Sequence, residues 1–330
     1  MRMTHRQRIE SALQLKETDR LPYSLWAHFP NRDRHPRRLA ELALRAQREY
    51  DLDFIKYMPF GLYTTIDMGV DLDVYEGFEK APTQHEPIIK DVKDWDRIRP
   101  LDGTRGEYAV VLESQRILME MLEEHVPFLQ TLFSPATTLA KMCSPADLVR
   151  HMREDPARVH RVLEMVTDTT IQFARASVDM GADGFFYASQ LSGRQTMEKT
   201  EYEAFVEKYD LAILNAVKDR TWFNVLHLHG AQVRIDEVQH YPVQGLSWHD
   251  RDDGPSMEEV CKYSTKAFVG GLSWGENWLT KTEEQVVGEV REMCGRPGLI
   301  LGPGCVIEPH TPKKFLELVQ KTVVECSCCR

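Results

Sequence analysis

No stretch of the chain approaches the ~18 uninterrupted apolar residues of a membrane-spanning helix. The opening MRMTHRQRIESALQLKETDRLP has no apolar core, so a secretory signal is not expected. It reads instead as an amphipathic helix, with Ile9, Leu13 and Leu15 set among charges. An excess of positive charge is also missing. The formal net charge is −10, which argues against non-specific binding to nucleic acid or anionic membrane. No G-x-G-x-x-G follows the first expected strand, so a Rossmann nucleotide site is not supported. Cysteine is sparse and odd in number, seven in 330 residues. Disulfide scaffolding is therefore not expected, and a reducing cytoplasm is the expected compartment. Cys143, Cys261 and Cys294 fall in expected helices as small core residues. The tail Cys326-Ser327-Cys328-Cys329 reads as a soft-metal or redox tail or, more simply, as a frayed end.

What is present is the composition of a globular protein with ample core, 42% hydrophobic and 28% charged. Short β-branched or aromatic runs alternate with helical patterns. Strands are expected at 20–28, 53–60, 126–133, 182–189, 222–230, 243–249, 266–274 and 298–305. Helices are expected at 144–155, 158–180, 199–218, 257–264, 283–293 and 311–326. Ser144-Pro145 and Thr311-Pro312 supply cap-then-proline starts. Eight such units imply a parallel sheet. A single (β/α)8 TIM barrel over residues 1–330 is the economical architecture, and an open doubly wound sheet is the competitor. Residues 61–125 are less regular and read as an excursion over one barrel end.

Within FNVLHLHG, strand alternation puts Val225, His227 and His229 on one face, at the C-terminal end of the fifth strand. In a (β/α)8 barrel that end carries the active site. Two imidazoles two residues apart can reach one ion. A catalytic zinc takes three protein ligands and keeps a position open. The third candidate is Cys305, held in the tight GPGC turn (302–305) after the eighth strand. The simpler alternative is one buried, hydrogen-bonded histidine and one on the rim.

These residues resemble motifs of the uroporphyrinogen decarboxylase superfamily. Its corrinoid-dependent methyltransferases carry His-x-Cys-Gly on one strand and a distant Pro-Gly-Cys turn, and this chain has HLHG at 227–230 and GPGC at 302–305. DRLPYSLW (19–26), FIKYMPFG (54–61), TLFSPATTLAKM (131–142), GADGFFYAS (181–189), VGGLSWGENWL (269–279) and PHTPKKFLELV (309–319) resemble further superfamily blocks in order. The resemblance implies a cytoplasmic TIM-barrel methyltransferase with zinc on His227, His229 and Cys305. It also implies a corrinoid-carrying partner protein docked over the mouth, and a homodimer. Two departures matter. The decarboxylase grips propionates with an arginine-rich stretch after its first strand. Here SLWAHFPNRDRHPRR places Arg32, Arg34, Arg37 and Arg38 later, on a loop and helix. And His229 stands where the methyltransferases have Cys.

Two neutral histidines and one thiolate would leave the site at net +1, a stronger Lewis acid than a dithiolate site. That suits polarising an ether or alcohol oxygen, as in O-demethylation of a small methoxylated donor, aromatic donors included. Around the mouth, His249 and Asp250 are candidates for orienting a ligand or protonating a leaving group. Glu308 is a third, and is also expected as a fourth, resting-state ligand. Trp26, His28, Tyr57, Tyr187, Gln190 and Asn277 are candidate substrate contacts, although core packing is the commoner fate of strand aromatics. The rival readings are a metal-free decarboxylase, a non-catalytic corrinoid or tetrapyrrole binder, and a zinc lyase or hydrolase.

Overall fold

The computed structural model describes residues 2–73 and 82–327. Its strands are β1 (Ile55–Tyr57), β2 (Leu72–Asp73), β3 (Thr83–Gln84), β4 (Phe128–Phe133), β5 (Gly184–Ser189), β6 (Val225–Leu228), β7 (Gly245–Ser247), β8 (Ala267–Leu272) and β9 (Leu299–Pro303). Its α-helices are α1 (His5–Leu13), α2 (Pro36–Tyr50), α3 (Gly106–Met121), α4 (Pro135–Ala140), α5 (Pro145–Glu154) and α6 (Pro156–Asp179), followed by α7 (Lys199–Tyr202), α8 (Lys208–Val217), α9 (Met257–Val260), α10 (Asn277–Thr280), α11 (Glu283–Met293) and α12 (Lys313–Ser327). The expected helix over 199–218 contains one π-turn, Glu203–Glu207, between α7 and α8.

Seven strands form one parallel sheet in the order β1-β4-β5-β6-β7-β8-β9, among the described residues. Expected strands 53–60 through 298–305 all appear in it, shortened at their ends. The first does not. Residues 20–28 make only isolated parallel bridges, Tyr23 to Leu301 and Ala27 to Ile307. Tyr23 O also accepts from Asp53 N, and Ser24 Oγ donates to Phe54 O. This segment therefore touches β9 on one side and the approach to β1 on the other without a strand's continuous ladder. The reason is local: Pro22 has no amide hydrogen, and Tyr23 N donates to the Asp53 carboxylate (2.9 Å) instead of to a backbone carbonyl.

Side-chain alternation sorts the sheet into two faces. Phe54, Met58, Leu129, Phe186, Val225, Val269 and Ile300 form one buried cluster with Trp26, and Ile9 and Ala12 of α1 join it. The opposite faces pack against the helices. Asp53 is the hub at the α1 end. It is fully buried and ion-paired to Arg8 (2.5 Å) and Arg20 (2.5 Å), with His5 Nδ1 at 3.0 Å. One carboxylate thus fastens α1, the 20–23 stretch and β1.

The stretch expected as an excursion holds the β2–β3 ribbon and α3, and its residues 74–81 lie outside the described ones. Much of it runs along the helical layer: Trp95 Nε1 reaches His151 of α5 (3.2 Å), and Gly103 N donates to Gln172 of α6 (3.1 Å). The cysteines need a correction. Cys294 and Cys326 are disulfide-bonded, joining the end of α11 to α12. Two residues distant by 32 in sequence come together because α11 and α12 pack side by side, which spacing alone does not reveal. Cys143 sits buried in the turn between α4 and α5, and Cys261 is exposed. Cys328 and Cys329 lie outside the described residues. No helix among the described residues is long and apolar enough to cross a membrane.

Candidate metal centre

Four side chains converge where β6, β7 and β9 end. The ligand-type atoms of His227, His229, His249 and Cys305 all lie within 4.8 Å of one another. His227 is on β6 and points to the same face as Val225, as alternation requires. The β6–β7 register sets it opposite Ser247, whose Oγ is 3.1 Å from His227 Nδ1. His249 lies two residues beyond Ser247, so it returns to the same face one step further toward the mouth. Its Nδ1 is 2.6 Å from Asp253 Oδ2. With both Nδ1 atoms occupied, the two Nε2 atoms are buried and have no hydrogen-bond partner. Buried imidazole nitrogens are ordinarily satisfied. Two orphaned ones turned into one cluster are what a metal ion would satisfy, with Ser247 and Asp253 fixing the ligand tautomers from behind.

His229 follows β6, and its Nδ1 is 4.0 Å from Cys305 Sγ. Cys305 is held by the turn after β9. Gly304 N donates to Leu272 O (2.8 Å), and a Cβ at Gly304 would come within 3.3 Å of His249 Cα. Trp26 Nε1 donates to Cys305 O. Trp26 reaches it because Gly302 has no Cβ; one would lie 2.6 Å from the indole. Trp274 closes another side, 4.3 Å from the His249 ring centroid and 5.9 Å from that of His229.

Burial dominates the electrostatics. It pushes His227 well below the ordinary imidazole range, helped by the charges of Lys56, His229 and His249. It lowers His229 to about 4, with His249 assisting. It also lowers His249, against the opposing hydrogen bond from Asp253. The imidazoles are neutral, the form that ligates metal. Burial raises the Cys305 thiol, with Lys56 opposing. A cation in the cluster would supply the charge its thiolate lacks.

Of the other sequence candidates, Trp26, His28 and Glu308 line one cavity of about 260 Å³, between residues 24–29, α2 and β1. Glu308, expected as a fourth ligand, lies apart from the cluster and accepts from His310 Nδ1 at 3.1 Å; the fourth ligand-type atom belongs to His249. The structure does not bring Asp250 to the cluster. Its carboxylate accepts from Gly271 N (3.1 Å) on β8, and burial raises it to about 6. Tyr57 and Tyr187 face the helices: Tyr57 Oη bonds Ser114 of α3, and Tyr187 Oη donates to Asp210 of α8 (2.7 Å). Gln190 is tied by its backbone N to Thr137 Oγ1 (2.8 Å), and Asn277 donates to Asp252 on the rim (2.8 Å). Arg37 and Arg38 are exposed on the first turn of α2, and Arg34 stacks over Phe60.

The sequence reading missed Lys56. It sits on β1 between Ile55 and Tyr57 and faces inward, its Nζ 4.1 Å from the Phe186 ring centroid and 4.9 Å from that of Trp26. Burial lowers it to about 7, with Cys305 opposing. The signal was in FIKYMPF all along: alternation sets Phe54, Lys56 and Met58 on one face, and Tyr57 on the other.

Comparison with known proteins places this geometry. The model of the family described as uroporphyrinogen decarboxylase (URO-D) matches residues 4–326. The chain is 20% identical to the methylcobamide:CoM methyltransferase MtbA of Methanosarcina acetivorans, covering 98% of this chain and 97% of the relative. It is 25% identical to the uroporphyrinogen decarboxylase of Syntrophotalea carbinolica, over 69% of this chain and 67% of the relative. A solved structure described as a methyltransferase from Methanosarcina mazei superposes with a TM-score of 0.82 over 99% of this chain and 98% of the other, at 21% identity. That likeness establishes the α/β fold and its parallel sheet. Since the family model spans nearly the whole chain, with the cluster inside it, the chain belongs to the uroporphyrinogen decarboxylase (URO-D) family.

Proposed function

We infer that the protein is a zinc-containing methyltransferase that moves a methyl group between a small substrate and a corrinoid protein. The observation that carries this reading is the pair of orphaned, buried Nε2 atoms of His227 and His249, converging with His229 and Cys305. Three imidazoles and one thiolate are a donor set suited to zinc. Relatives named methylcobamide:CoM methyltransferases match along nearly their full length, which favours methyl transfer over decarboxylation. The reading also takes residues 20–28 as the eighth stave of a closed barrel, and keeps the protein in the cytoplasm.

When bound, zinc would supply Lewis acidity toward the substrate heteroatom that carries or receives the methyl group, with one of the four ligand-type side chains yielding its place to the substrate. The rest falls to the chain's own residues. Ser247 and Asp253 hold His227 and His249 with Nε2 forward. Trp26 and Trp274 exclude water, which strengthens charge interactions inside the site. The corrinoid partner approaches over the open strand ends. Because His249 is neutral, adding it leaves the set at net +1, so we place the enzyme on the methyl-donor side, with the oxygen of a methyl ether or alcohol as the polarised atom. The second reading, a thiol acceptor, is favoured by the relatives' printed names.

The test supplies the zinc-loaded protein with a reduced corrinoid protein and follows cobalt absorbance while methoxylated donors are screened. Donor-dependent methylation of cobalt supports the reading. Demethylation of methyl-cobalt by a thiol, with no ether or alcohol consumed, supports the second reading and refutes the donor-side assignment.

A further inference from the structure

Lys56 is a buried amine whose one opposing charge among the described residues is that of Cys305. It makes no hydrogen bond and no ion pair among the described residues, and its nearest company is aromatic: Phe186 at 4.1 Å and Trp26 at 4.9 Å. The two carboxylates that line the cavity with it are engaged elsewhere: Glu308 bonds His310, and Glu49 pairs with Lys313. Unpaired cations at buried positions are costly and mark sites that await an anion.

The space in front of Lys56 is the cavity of about 260 Å³. It opens where residues 24–29 and β1 part company. Tyr23 and Ser24 still touch Asp53 and Phe54, but beyond them β1 pairs with β4 and Ala27 bridges to Ile307. The slot between is walled by apolar groups, among them Phe29, Leu39, Ala43, Met58 and Ile307, with Arg45, Glu49 and Glu308 also lining it and Lys56 beside Trp26. Lys56 and the metal centre share neighbours. Phe186 also lies 5.3 Å from the His227 ring, and Trp26 also bonds the Cys305 carbonyl.

We propose that this slot is the substrate site, and that Lys56 selects a substrate carrying an anionic group on an apolar body, close to the atom that exchanges the methyl group. The proposal rests on the methyl-transfer reading and names its substrate class. Lys56 and His227 both lie against the same ring, Phe186, so one small ligand carries the acidic group and the reacting heteroatom together. The body then lies in the slot, away from the mouth where the corrinoid partner approaches. Lys56 is a specificity-determining residue in this scheme, with no part in holding the metal.

The test is calorimetric binding of 2-methoxybenzoate and its neutral isostere 2-methoxybenzamide to the zinc-loaded protein, without corrinoid or turnover. The parent is expected to prefer the carboxylate by about 10- to 100-fold, the range of a charge-assisted hydrogen bond. Lys56→Met is expected to erase that preference with zinc content unchanged, and Lys56→Arg to restore most of it. Equal affinities in the parent, or a preference that survives Lys56→Met, would overturn the proposal. A failed methyl-transfer assay would leave the binding preference standing, and a missing preference would leave methyl transfer standing, so the two readings fail separately.

Discussion

Replacing Asp253 by alanine removes the group that aims His249. In the folded protein, Asp253 Oδ2 lies 2.6 Å from His249 Nδ1, and His249 Nε2 is buried without a partner. The carboxylate keeps the proton on Nδ1 and the lone pair on Nε2, and it raises the basicity of a ring that burial has made poorly basic. Loss of such a partner lowers metal affinity about 10- to 100-fold, or roughly 1.4–2.7 kcal/mol. Asp253 is itself a third exposed, at 33%, so water can replace part of its role and the lower end applies, about tenfold. Asp253→Asn keeps an acceptor but no charge and is expected to fall between parent and alanine. The assay is competition for zinc against a chromophoric chelator, with circular dichroism as a check on folding. A folded Asp253→Ala protein binding zinc within about twofold of the parent would refute the reasoning, because a ligand cannot lose its orienting group without cost.

Three further outcomes are expected. Gly302→Ala drives a methyl group into the indole of Trp26, which must withdraw from the Cys305 carbonyl; stability should fall by about 1–3 kcal/mol in urea unfolding, and zinc affinity with it. Asp53→Ala leaves Arg8 and Arg20 buried without their shared partner and should cost about 3–5 kcal/mol by the same measurement. Asp210 is buried beside Tyr187 and Ser189, and burial raises it to about 7 from an ordinary 3.8. The folded state therefore holds this proton more tightly than the unfolded chain. Its stabilising contribution is complete below about pH 4 and is lost as pH rises to about 7, by up to about 4 kcal/mol. Asp210→Asn should flatten that part of the stability–pH profile, and an unchanged slope would show that the carboxyl is not protonated in the fold.

Seven of the expected strands were legible because their apolar runs are bounded by turn residues and separated by helical periodicity. The first was not a strand, since Pro22 and the side chain of Asp53 replace the backbone ladder with bridges and side-chain bonds. His227, His229 and Cys305 could be read from spacing and the GPGC turn. His249 was seen only as a possible acid or base, because its place in the cluster depends on register: His227 opposes Ser247, and two residues on is His249. Tyr57 reads as a substrate contact, but strand alternation turns it to the helices, opposite to Lys56. The same rule sends Tyr187 to the helices and brings Lys56 inward. The disulfide between Cys294 and Cys326 was illegible because it depends on how two helices pack, not on either helix.

The central claim is that His227, His229, His249 and Cys305 hold one zinc ion. X-ray absorption at the zinc edge, on protein of measured metal content, tests it most directly. The account predicts about one zinc per chain with three nitrogen neighbours at ~2.0–2.1 Å and one sulfur at ~2.3 Å, the sulfur lost in Cys305→Ser. No zinc after reconstitution under reducing conditions, or a zinc whose shell contains no sulfur, would contradict it.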